Sequence, residues 1–72
     1  MDLKQRLGEL VRARRRVLGL SQEELGLRIG ADQAYMSRIE GGRINLTLDT
    51  IDALAKALET DAASLLAGLG GT

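Results

Sequence analysis

In the stretch ADQAYMSRIEGG, residues 31–42, Gln33, Ser37 and Arg38 fall at helical spacing, so an amide, a hydroxyl and a guanidinium share one face. An amide offers a donor beside an acceptor, and a guanidinium offers a planar fork of donors. Groups of this kind recognise polar edges and anions. The groups that break bonds are scarce. There is no His and no Cys, which removes imidazole and thiol chemistry and any plausible zinc site. No glycine loop with nucleotide-binding spacing is present. Asp49 and Asp52 lie three residues apart, but exposed carboxylates near a helix start chiefly complement its dipole. The expectation is a binding protein: not an enzyme, with no metal, no cofactor and no small-molecule substrate.

Seventy-two residues predict one domain spanning 1–72, with its core over 3–66 and a frayed tail over 68–72. A chain this small buries only about 60% of its unfolded surface. Without Cys or His it has neither disulfides nor zinc to help. Good helix packing or a second copy of the chain must compensate. Lys4, Arg6, Glu9, Arg12 and Arg14 to Arg16 interrupt the first twenty residues, so neither a signal peptide nor a membrane span is expected. The absence of Cys fits a reducing cytoplasm. The formal net charge is zero, yet residues 1–43 hold nine basic residues against six acidic ones, and residues 44–72 hold one against four. That asymmetry predicts an anion-facing half and a half with another task.

The elements that must hold Gln33 and Arg38 are helical, because the chain is rich in Leu, Ala, Arg and Glu and has no Pro. Leu3, Leu7, Leu10, Val11, Val17 and Leu18 recur on one face and predict a first helix over 3–18, stopped by Gly19. Ser21 and Glu24 form a capping-box pair that opens a second helix over 22–29, and Leu20 can staple against Leu25. Gly30 ends it. Asp32 opens a third helix over 33–40, which Gly41 and Gly42 end. After a loop over 43–46, Thr47 caps a fourth helix carrying Ile51, Leu54, Ala55 and Leu58, and Asp61 caps a last short one. The fold class expected is all-α, a compact bundle of five short helices.

Helix 22–29, a turn built on Gly30 and helix 33–40 match the helix-turn-helix arrangement, whose second helix enters the DNA major groove. Gly26 leaves a bare surface on which the next helix can cross closely. Leu25, Ile29, Met36 and Ile39 are expected to face inward. Gln33, Ala34, Ser37 and Arg38 are then left on the outer face to meet base edges.

The segments VRARRRVLGLSQEELGLRIGADQAYMSRIEGG and NLTLDTIDALAKAL, in this order and spacing, resemble the lambda-repressor/Cro-like helix-turn-helix transcriptional regulators, over about residues 3–66. The continuation into NLTL also resembles the small controller proteins of restriction–modification systems. The resemblance implies a double-stranded DNA operator as partner. It implies that Gln33 reads a base, with adenine N6 and N7 the fitting edge, and that Ala34, Ser37 and Arg38 are further major-groove positions, with Arg38 suited to guanine. It implies phosphate contact by Gln22 at a helix N-terminus and backbone contact by Arg43 and Asn45. It also implies an internal ion pair between Arg15 and Glu40. Three positions depart from the pattern: Arg14 stands where an apolar residue is usual, Gly26 where Ala is usual, and Glu59-Thr60 where Gly-Val is common.

Arg12, Arg14 and Arg16 fit DNA contact and a solvated, dipole-complementing face equally well. Tyr35 fits packing or a phosphate hydrogen bond. Leu65, Leu66 and Leu69 fit either a cap on the core or a homodimer seam, and the two-fold reading of operators favours the seam. A rival of another class is a protein-binding adaptor, or an antitoxin, that keeps this shape. An adaptor should carry apolar residues on the outer face, where Gln33, Arg38 and Arg43 stand instead.

Overall fold

The protein, described here by a computed structural model over residues 2–70, starts with a cap. Asp2 accepts the backbone N–H of Gln5 at 2.8 Å, and the Gln5 side chain accepts the Asp2 N–H in return. This box opens α1, Leu3–Val17. Ser21 and Glu24 repeat the device for α2, Gln22–Ile29. Asp32 caps α3, Gln33–Glu40; Thr47 caps α4, Leu48–Ala57; and Asp61 caps α5, Ala62–Ala67. Each capping side chain satisfies an N–H that the helix cannot reach itself. No strand occurs among the described residues.

The helix ends are as local as the starts. Gly19 adopts φ 71° after α1, with Leu20 N donating to Arg15 O and Gly19 N to Arg16 O at 3.0 Å each. Gly30 closes α2 in the left-handed region, where the missing side chain removes the steric cost.

The inward face of each helix meets one core of Leu7, Val11, Leu25, Met36, Ile39, Ile51, Leu54, Ala55, Leu58 and Leu65. Each large side chain fully buried there contributes about 1.5–3 kcal/mol. Two members of the expected α1 face stay outside it: Leu3 is 67% and Val17 73% exposed. They are the first and last residues of α1. Leu65, read as a seam residue, is only 6% exposed and belongs to the single-chain core. The spacing of an amphipathic last turn is the same for both uses, which is why the pattern alone did not separate them.

Two close crossings fix α3. A Cβ on Gly8 would lie 2.5 Å from the Ile39 carbonyl oxygen, so α1 and α3 touch backbone to backbone there. A Cβ on Gly26 would lie 2.6 Å from the Ala31 oxygen and 3.3 Å from Met36 Cγ. The bare surface at Gly26 is therefore used by the turn and by α3, as expected. Of the tail, Gly68 packs on Leu10 and its carbonyl accepts Arg6 Nη2 at 3.4 Å. Gly71 and Thr72 lie outside the described residues.

Candidate nucleic-acid interface

The helix α3 divides cleanly by side. Met36 and Ile39 are 0% and 2% exposed, whereas Gln33, Ala34 and Arg38 are exposed and Ser37 is half-buried. The four outer residues pair at four-residue spacing, Gln33 with Ser37 and Ala34 with Arg38, so they form one polar strip along the helix. Asp32 uses its carboxylate on Tyr35 N at 2.8 Å, which keeps the first turn wound up to Gln33. The C-terminal end is closed by Arg43 N donating to Arg38 O at 2.9 Å.

A buried polar network sets the angle of that strip. Glu40, the last residue of α3, has a side chain only 3% exposed. Its carboxylate accepts Arg15 Nε at 2.7 Å, Arg15 Nη2 at 3.0 Å and Gln22 Nε2 at 3.2 Å. Arg15 donates its remaining nitrogen to Leu20 O at 2.7 Å. Helices α1, α2 and α3 are thus tied at one carboxylate by charge-assisted bonds, two of them in a parallel fork. The hydrogen bond to Glu40 raises the Arg15 pKa further, although burial opposes it. Among the described residues no buried side-chain polar atom lacks a partner. Gln22 directs its amide inward to Glu40, away from the role that the resemblance implied for it. Its place at the first position of α2 leaves its backbone N–H at the helix N-terminus.

The arginines sort into two groups. Arg6, Arg14, Arg15 and Arg28 bond to the protein itself: Arg6 to Gly68 O, Arg14 to Leu58 O and Glu59 O, Arg28 to Ala57 O and the Glu59 carboxylate. Arg14, which by sequence fits DNA contact as well as a solvated face, has Nε and Nη2 engaged on these carbonyls. Arg12, Arg16, Arg38 and Arg43 are exposed and form no ion pair among the described residues. The Arg43 side chain folds back over Gly41, where a Cβ would lie 3.2 Å from its Nε. Asn45 is exposed in the same loop. Tyr35 is half-buried and packs against the core, between the end of α2 and α4.

The last face to place is that of α5. Leu66 and Leu69 line an apolar groove of about 230 Å³ with Leu3, Leu7, Ile44 and Leu46. Among the described residues no helix is long and apolar enough to cross a membrane.

Residues 6–67 match the family model described as a helix-turn-helix domain. The chain is 41% identical over 70 residues to control protein C.SmaI of Serratia marcescens, covering 97% of this chain and 83% of the relative. Among solved structures, the restriction–modification controller protein C.AhdI from Aeromonas hydrophila superposes with a TM-score of 0.80 at 36% identity, over 85% of this chain and 92% of that one. The controller protein C.Esp1396I, solved as a tetramer in complex with its natural 35 base-pair operator, gives a TM-score of 0.85 at 26% identity, over 96% and 91%. The chain belongs to the helix-turn-helix family of DNA-binding transcriptional regulators, the family of these restriction–modification controllers.

Proposed function

We propose that this chain reads a double-stranded operator as a homodimer, with α3 of each copy in a major groove. The carrying observation is the two-sided α3: its inner residues are buried to 2% or less, and its outer strip is wholly polar or small. Gln33 is the first base reader and Arg38 the second, with Ala34 and Ser37 allowing close approach. Arg43, Asn45, Arg12 and the Tyr35 hydroxyl are the backbone contacts, joined by the N-terminus of α2 at Gln22. A single domain of this size makes few base contacts, and two copies double them. Leu66 and Leu69 supply the seam, with Leu65 holding α5 to its own chain. A chain of this kind binds and does not catalyse, and it works in the cytoplasm beside its DNA.

A mobility-shift assay on random DNA at two salt concentrations, followed by selection from the pool, tests this reading. Binding that weakens with salt and enriches an inverted repeat is expected. Failure to shift DNA at low salt, or a pool that stays random, would contradict it and favour the adaptor.

A further inference from the structure

The turn between α4 and α5 carries an unusual residue in a demanding place. Glu59 has φ 61° and is the one non-glycine residue with positive φ among the described residues. It occupies the position after a helix end where glycine is favoured, because a Cβ there crowds the backbone. Glu59 N donates to Lys56 O at 3.0 Å and Thr60 N to Ala55 O at 2.9 Å, which completes the left-handed helix stop. The carbonyls of Ala57, Leu58 and Glu59 accept no backbone N–H among the described residues. Two arginines from other helices fill that gap. Arg14 of α1 donates Nε to Leu58 O at 3.0 Å and Nη2 to Glu59 O at 3.3 Å. Arg28 of α2 donates Nη1 to Ala57 O at 2.8 Å and lies 3.4 Å from the Glu59 carboxylate.

Cations are favoured at a helix C-terminus by the dipole, and the guanidinium fork suits two successive carbonyls. Arg14 stands in the last turn of α1, half-buried, and lines the crease between α1 and α5 with Leu10, Leu65 and Gly68. The same residue thus bonds to the turn before α5 and borders the crease that α5 forms with α1. We propose that Arg14 and Arg28 form a two-sided clamp that holds Glu59 in its left-handed conformation and so positions α5, setting the geometry of the dimer seam. The proposal rests on the homodimer reading above. Arg14 and Arg28 are positioning residues: their guanidinium groups are bonded to the turn, and they act through it.

The test uses Arg14→Leu, Glu59→Gly and the double variant in the full chain. Glycine at 59 takes the left-handed conformation unaided, so it should relieve the need for the clamp. Arg14→Leu alone should lower the melting temperature and weaken the dimer about tenfold, the loss expected for hydrogen bonds to a charged donor. It should also broaden the half-site spacing selected from random DNA, while affinity for an isolated half-site holds. Glu59→Gly added to Arg14→Leu should recover most of the melting temperature and the dimer constant. Should Arg14→Leu not fold, Arg14→Gln carries the same comparison. Additive effects of the two substitutions would overturn the clamp. A destabilised Arg14→Leu chain with unchanged dimer constant and spacing preference would overturn the positioning claim while leaving the homodimer reading intact. A wild-type chain that stays monomeric on its selected operator overturns both.

Discussion

Replacing Glu40 by alanine removes the acceptor of three hydrogen bonds from two helices. The carboxylate is 3% exposed and the Arg15 side chain 11%, so water replaces little of what is lost. Breaking a buried pair by deleting one partner costs about 3–5 kcal/mol, because the other charge stays buried and unpaired. Arg15 keeps its bond to Leu20 O at 2.7 Å, which places the expected cost near the lower end, about 3 kcal/mol. Total stability for 72 residues is about 4–11 kcal/mol, so the substitution takes a quarter or more of it. Urea unfolding followed by far-UV circular dichroism reads the change as a lower midpoint at constant slope. A cycle with Arg15→Met isolates the pair: the double variant Arg15→Met/Glu40→Ala should recover much of the loss, since replacing both partners removes the stranded charge. A coupling below about 0.5 kcal/mol, the range of exposed pairs, would mean that the pair acts as a surface contact only.

Three further outcomes are expected. Gly8→Ala should destabilise by more than about 1 kcal/mol, although Ala is the better helix former, because its Cβ would meet the Ile39 carbonyl at 2.5 Å; an unchanged or raised urea midpoint would show that α1 and α3 can separate freely. Glu24 and Asp61 are held below their ordinary pKa values, first by the backbone N–H groups of Ser21 and Ser64 respectively. Their contribution is therefore full above the unfolded values and lost as pH falls through the folded ones, so melting temperature should drop below about pH 4, and less so in Glu24→Gln and Asp61→Asn. Leu69→Glu should give monomers by sedimentation and remove the dependence of melting temperature on protein concentration, whereas Leu65→Ala should chiefly destabilise each chain through the cavity it leaves.

What the amino-acid order discloses here is what depends on neighbours within a turn or two. Ser21, Asp32, Thr47 and Asp61 announce helix starts, and Gly19 and Gly30 announce stops, because a cap or a left-handed residue acts on bonds three to five positions away. The Asp2–Gln5 box is equally local and was legible in principle. The strip of Gln33, Ala34, Ser37 and Arg38 follows from one helical period. Gly8 is different. A glycine in a helix looks the same whether it faces water or a neighbouring backbone, and only the fold reveals the Ile39 carbonyl above it. The partners of Arg14 lie 44 and 45 positions away, and nothing near residue 14 shows that an arginine on an apolar face caps α4. The inward turn of the Gln22 amide toward Glu40 is a contact of the same long-range kind.

The role proposed for α3 is base reading through its outer strip, with Gln33 first. The most direct measurement compares wild type and Gln33→Ala on the operator selected by the wild type and on its full set of single base-pair substitutions. A bidentate base contact predicts a loss of about 1–3 kcal/mol per half-site, together with relaxed preference at one base pair and an unchanged profile elsewhere. Equal affinity of the two proteins for every base at every position would show that Gln33 reads no base.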